Sequence, residues 1–178
     1  MRIVAGKYKY RKIEVPENAR PTPERVREAI FSMIGTKVEG AVVLDLFAGS
    51  GAMGLEALSR GASLCYFNEI DRRHFGTLKS NVVGCRAESA SVLLNRDFRN
   101  AIAGIEGTVD LVFLDPPYSM DLYGEILEKL DASGVLSEGA FVVVEHVYNN
   151  KITDTPSSLE KIKEKKYGNI GVDVFMRH

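Results

Sequence analysis

Between Val42 and Val144 the chain alternates five short apolar runs with four stretches of helical periodicity, an order that leaves few folds open. The runs are 41–46, Leu64–Phe67, Ser89–Leu94, Val109–Leu114 and Phe141–Val144, rich in Val, Leu and Phe. Each reads as a strand buried on both faces. The intervening segments, Leu55–Ser59, Asp71–Val82, Arg96–Ala103 and Tyr123 to Leu130, read as helices. Strand–helix alternation demands parallel pairing with right-handed crossovers. The expected fold is therefore α/β, a Rossmann-like, doubly wound, mostly parallel sheet with helices on both faces. In such sheets ligands bind beyond the carboxyl ends of the strands. Asp45, Glu69, Asp97 and Asp115 all fall at or just past those ends.

The flanks add smaller elements. Residues 2–15 alternate loosely through Ile3, Tyr8, Tyr10 and Ile13 and predict a basic hairpin appended to the core. Thr22, Pro23 and Glu24 predict a helix start, with Thr22 as N-cap, and Gly35 its stop. This helix carries Arg25 and Arg27 on or near its polar side. Lys161–Lys166 and Gly171–Phe175 around Tyr167-Gly168-Asn169 predict a C-terminal antiparallel edge hairpin. At 178 residues and 45% hydrophobic content, one domain over 1–178 is expected, with a basic N-terminal extension (1–35) and a core (41–178). No apolar window approaches a membrane span and the basic start lacks a signal-peptide core, so a cytoplasmic protein is expected. Cys65 and Cys85 lack metal-ligand spacing; free thiols and no metal are expected. A monomer is expected.

Net charge is −1, but residues 1–27 hold eight Lys or Arg against three Glu, a net of +5 that leaves −6 on the remainder. Arg2, Lys7, Lys9, Arg11, Arg20, Arg25 and Arg27 could reach phosphates, and Tyr8 and Tyr10 could stack on bases.

The first strand runs into Asp45-Leu46-Phe47-Ala48-Gly49-Ser50-Gly51-Ala52-Met53-Gly54. Gly49-x-Gly51-x-x-Gly54, with Glu69 about 20 residues on, satisfies the nicotinamide fingerprint. Asp45 argues otherwise, because a carboxylate just before the loop opposes a pyrophosphate there. S-adenosylmethionine carries no phosphate and presents an ammonium and a sulfonium, which suit that acid. Glu69 would accept hydrogen bonds from ribose hydroxyls with either cofactor. Asp97 and Phe98 could offer a carboxylate and a ring face to adenine, although a first-turn acid and a core anchor are the commoner meaning.

The fourth strand ends in Asp115-Pro116-Pro117-Tyr118. Two prolines stop the ladder and hold Asp115 and Tyr118 on a stiff frame. Together with Asp-Leu-Phe-Ala-Gly-Ser-Gly on the first strand, this resembles class I amino-group methyltransferases. Arg20-Pro21-Thr22-Pro23-Glu24-Arg25-Val26-Arg27-Glu28-Ala29-Ile30-Phe31 and Lys166-Tyr167-Gly168 extend the resemblance over nearly the whole chain, to the RsmD-type guanine-N2 methyltransferases of 16S ribosomal RNA. The resemblance implies S-adenosylmethionine as cofactor and small-subunit ribosomal RNA, or its particle, as partner. It assigns Asp45, Phe47, Ala48, Gly49, Ser50, Gly51, Glu69, Asp97 and Phe98 to the cofactor. Asp115, Pro116, Pro117 and Tyr118 go to the target. Glu145-His146, at the fifth strand's tip, could line the pocket, although an ordinary exposed pair is the commoner meaning. Adenine N6, a protein amide, a nicotinamide oxidoreductase and a non-catalytic RNA-binding assembly factor remain open from the residues alone.

Overall fold

The computed structural model describes residues 1–117 and 121–178. Among these, seven strands form one sheet: β1 (Val42–Asp45), β2 (Leu64–Asn68), β3 (Ser91–Leu94), β4 (Val109–Leu114), β5 (Leu136–Val147), β6 (Leu159–Tyr167) and β7 (Ile170–Arg177). Their spatial order is β3-β2-β1-β4-β5-β7-β6. β1 to β5 pair in parallel, whereas β7 runs antiparallel to both β5 and β6, which is the edge hairpin expected. The chain winds outward from β1 to β3, then returns to lay β4 on the other side of β1. That reversal opens a crevice above β1 and β4, where doubly wound sheets bind ligands.

Five helices cover the sheet: α1 (Glu24–Ile34), α2 (Ala52–Ser59), α3 (Arg72–Gly84), α4 (Phe98–Ala103) and α5 (Tyr123–Ser133). Strand periodicity divides the core between the two faces. Val43, Leu111, Phe113 and Val143 pack with Ile30, Leu55 and Leu78 of α1, α2 and α3. Leu44, Val112, Leu114, Val142 and Val144 pack with Ala101, Ile126 and Leu127 of α4 and α5. α2 begins one turn before Leu55, so Gly54 lies inside it. A Cβ there would sit 2.3 Å from Phe67 Cε1 and 2.7 Å from Cys65 Sγ, so glycine lets α2 lie against β2. Among the described residues no helix is long and apolar enough to cross a membrane.

The N-terminal segment departs from the expected appendage. It closes through one antiparallel bridge, Arg2 with Lys12, and buries Ile3, Tyr8 and Ile13 in the α1–α3 core. Backbone contacts explain why. Lys7 N–H donates to the Ser59 carbonyl (2.9 Å), Tyr8 N–H to Ser59 Oγ (2.9 Å), and Val4 and Ala5 N–H to the Glu56 carboxylate (2.9 and 3.2 Å). Gly6 approaches so closely that a Cβ would lie 1.9 Å from the Ser59 oxygen. The turn is thus clamped to the C-terminal end of α2, about 12 Å of helix away from the glycine loop.

Three further expectations are corrected. Arg27 is fully buried, its guanidinium 3.4 Å from Glu56 and donating to the Arg2 carbonyl (3.0 Å), and burial holds its pKa below the usual value. Neither Arg27 nor the buried Tyr8 can meet RNA from these positions. Thr22 does not cap α1: Pro23 occupies that place without a side-chain cap, and the Thr22 hydroxyl donates instead to Glu145 Oε2 at 2.6 Å. Glu145 and His146 are buried rather than exposed, because β7 pairs along β5 past both residues. His146 Nε2 lies 3.2 Å from the buried Asp173.

Candidate functional site

A cleft of about 530 Å³ opens over the carboxyl ends of β1, β2 and β4. It is lined by Asp45, Phe47, Ala48, Gly49, Ser50, Glu69, Asp97, Phe98, Asp115, Pro116 and Pro117. The strand-end rule therefore brings together residues drawn from four separate tips. Gly51 caps α2 behind the loop in a left-handed conformation and does not line the cleft. Tyr118 lies outside the described residues.

The glycine loop is held by carboxylates. Asp45 Oδ2 accepts the Gly54 N–H (3.0 Å) in the first turn of α2, and Glu69 Oε2 accepts the Gly49 N–H (3.0 Å). Those N–H groups are what a dinucleotide's pyrophosphate would need. With both already engaged by acids, the loop repels a phosphate and welcomes a cation. The fingerprint thus fails for a nicotinamide cofactor on the hydrogen bonds themselves. Burial pushes the Asp45 carboxyl up to about 7, with the Glu69 charge adding to it and the Gly54 N–H opposing.

The floor and far wall are built as firmly. Asn68, buried at the end of β2, donates to the carbonyls of Leu46 (3.3 Å) and Arg96 (2.9 Å) and accepts the Arg96 N–H (3.2 Å), tying three strand ends together. Phe98 packs against Phe47 with ring centroids 5.9 Å apart. Asp97 caps α4 by accepting the Arg99 N–H (2.9 Å) and pairs with the Arg99 guanidinium (3.1 Å), so its structural role is plain although it also borders the cleft. An elongated, uncharged-to-cationic ligand fits this lining. Asp45 and Glu69 suit the amino-acid end and ribose of S-adenosylmethionine, and the Phe47–Phe98 pair suits its adenine.

Asp115 stands at the opposite end, on the proline frame after β4. Burial, Glu145 and Asp45 together raise its carboxyl well above the ordinary range. Glu145 lines the same cleft, the less favoured of its two sequence readings, and it follows an apolar run just as the other four acids do. Among the described residues no group of His, Cys, Asp and Glu is arranged to hold a metal.

Residues 1–176 match the family model described as conserved hypothetical protein 95. Over 179 residues the chain is 34% identical to ribosomal RNA small subunit methyltransferase D of Escherichia coli K12, covering 99% of this chain and 90% of that protein. The chain belongs to this methyltransferase family. The corresponding protein of Haemophilus influenzae is 35% identical over 174 residues, covering 94% of this chain and 89% of that one. The solved structure of yhhF from Escherichia coli superposes with a TM-score of 0.91 at 33% identity, covering 100% of this chain and 98% of that chain. The family likeness therefore takes in the clamped N-terminal segment as well as the sheet. As a member, the chain is a methyltransferase whose cleft suits S-adenosylmethionine as methyl donor.

The basic residues of the N-terminal segment are not equivalent in this methyltransferase. Lys7, Lys9, Arg20 and Arg25 are exposed. Arg2 is exposed but pairs with Glu24 (3.3 Å), and Arg11 is tied to the Cys85 carbonyl. Arg20 alone of the seven lines the cleft. It also lines a second cleft that shares Pro21 and Glu145 with the first and is bordered by Tyr148 and Lys166.

Proposed function

We propose that this chain transfers a methyl group from S-adenosylmethionine to the exocyclic N2 of a guanine in small-subunit ribosomal RNA, acting as a monomer in the cytoplasm. The observation that carries the reading is Asp115 on its proline frame, facing a cleft whose other acids favour a cationic donor. When bound, the cofactor supplies an electrophilic methyl group on a positively charged sulfur. Asp45, Phe47, Ala48, Gly49, Ser50, Glu69, Asp97 and Phe98 would hold it, with Gly51 shaping the loop from behind.

An exocyclic guanine amine is a weak nucleophile because its lone pair is delocalised into the ring. Hydrogen bonds from its N–H groups to the Asp115 carboxyl and the Pro116 carbonyl hold the nitrogen in line and favour the localised pair. Catalysis then rests on alignment and fixed electrostatics. Tyr118 is assigned to stacking on a base that has left its helix or is already unpaired. The reading is tested by following labelled methyl transfer to RNA, DNA and protein from cells lacking this chain, with naked RNA and ribosomal particles compared. Transfer to small-subunit RNA is expected; transfer only to DNA or protein overturns the substrate.

RNA reaches the site over the two clefts joined at Arg20, with residues 1–35 and 41–178 working as one unit. Neutralising Lys7, Lys9, Arg20 and Lys166 together is expected to flatten the slope of log affinity against log salt by about 3, since each contact with single-stranded phosphate contributes about 0.7. The S-adenosylmethionine Kd should not move. Filter binding across a salt series checks this, and an unchanged slope would remove these cations from the RNA path.

Asp45 makes cofactor binding pH-dependent. Its carboxyl is raised to about 7, so it is protonated below that pH in the free protein. A cation beside it favours the charged form and lowers the pKa. S-adenosylmethionine binding at about pH 6 should therefore release a proton, and affinity should rise as pH approaches 7. Calorimetry in buffers of different ionisation enthalpy measures that proton. Asp45→Asn should abolish the buffer dependence.

A further inference from the structure

The reading above uses Asp115 and leaves Glu145 and Thr22 without a task. Two acids side by side on neighbouring strands are costly: Glu145 is only 6% exposed and Asp115, just past the end of β4, is half-buried. β4 and β5 are in direct parallel register, Leu114 opposite Val144, so the next residue on each strand is one of the acids. Like charges this close cannot both ionise cheaply. The Thr22 hydroxyl, 2.6 Å from Glu145 Oε2 and buried with it, selects which acid carries the charge. Its donated hydrogen bond favours ionised Glu145 and leaves the single proton on Asp115. Diverting Thr22 from the capping position of α1 forgoes a cap to make this contact.

We propose that Asp115 and Glu145 form a one-proton carboxyl pair, held by Thr22, which takes up the proton that the target amine must lose. This rests on the amino-group reading above. When the new N–CH₃ bond forms, the amine N–H bond breaks and its proton passes to the free oxygen of Asp115. The proton already on Asp115 moves to Glu145. The pair goes from one negative charge to none as the sulfur loses its positive charge, so the closed cleft stays electrically balanced. Release of one proton to water restores the pair. Glu145 acts through Asp115 and is a positioning residue. The charged groups around the pair are Asp45 at the tip of β1, Arg20 on the rim of the cleft, and His146, next along β5 and paired with Asp173.

Shifts at the two ends of the pair's titration distinguish this role from a structural one. Activity should fall at low pH as the pair gains its second proton. Glu145→Gln removes the like charge, so the pH at which the last proton leaves Asp115, read by infrared titration, should move down by about one unit. Thr22→Val weakens ionised Glu145, so the acidic limb of kcat should move up by less than about one unit. Neither should change the S-adenosylmethionine Kd. Infrared titration of the free protein reads the pair without any substrate. In the Asp45→Asn background, which removes the carboxyl that itself titrates near 7, a protonated carboxyl band should persist at neutral pH, and it should vanish when Asp115→Asn or Glu145→Gln is added. An Asp115 titration that stays put in Glu145→Gln, a kcat limb that stays put in Thr22→Val, or a band indifferent to both acids, overturns the pair. The expected band with no methyl transfer to any amine overturns the substrate reading instead.

Discussion

Asp115→Ala is expected to lower kcat for methyl transfer by about 10²- to 10³-fold, the loss typical when one preorganised hydrogen-bonding group is removed from a reacting centre. The S-adenosylmethionine Kd should change by less than about threefold, because Asp115 faces the target end of the cleft while Asp45 and Glu69 hold the loop. Asp115→Asn keeps an acceptor oxygen on the same frame but cannot take a proton, so a smaller loss is expected. Single-turnover kinetics separates these effects from RNA binding. A kcat that survives Asp115→Ala would take this residue out of the reaction and leave the proline frame as a mere strand end.

The largest effect on stability should come from a residue far from the chemistry. Glu56 accepts hydrogen bonds from Val4 and Ala5 N–H and pairs with Arg27 and Arg60, all around a fully buried side chain. Glu56→Ala leaves Arg27 charged and unpaired inside the core, which costs about 3 to 5 kcal/mol in comparable buried pairs. It also leaves two backbone donors of the N-terminal segment without their acceptor. The urea midpoint should drop accordingly, and protease sensitivity should rise first in residues 1–12. Replacing both partners, Arg27→Met with Glu56→Leu, should recover much of the loss, since no bare charge then remains. The exposed pair of Arg2 with Glu24 should be nearly silent when broken.

These two residues also show where a sequence is legible and where it is not. The strand-end acids Asp45, Glu69 and Asp115 follow from the alternation of apolar runs, because local periodicity sets both the strands and their tips. The direction of the edge hairpin follows in the same way. Arg27 misled because helical spacing alone did not place it on α1's buried face: what faces it is Glu56, 29 residues away on another helix, and no local pattern announces that meeting. Thr22 misled for a related reason. Its position suits a helix cap, but an acid from β5 competes for its hydroxyl and wins. Glu145 was within reach, since it follows an apolar run as the other acids do. The run's length was underestimated because β5 is extended by β7, a partner that arrives only later in the chain. Tyr8 illustrates the cost of reading a basic segment from charge alone: Ser59 and Glu56 draw its backbone onto α2, and the ring follows into the core.

The most direct test is the position of the transferred methyl group. Small-subunit ribosomal RNA from cells lacking this protein would be incubated with the purified chain and isotopically labelled S-adenosylmethionine, digested to nucleosides and separated by mass. The account predicts label in N2-methylguanosine, lost with Asp115→Ala. Label in N6-methyladenosine, or none in RNA, would contradict it.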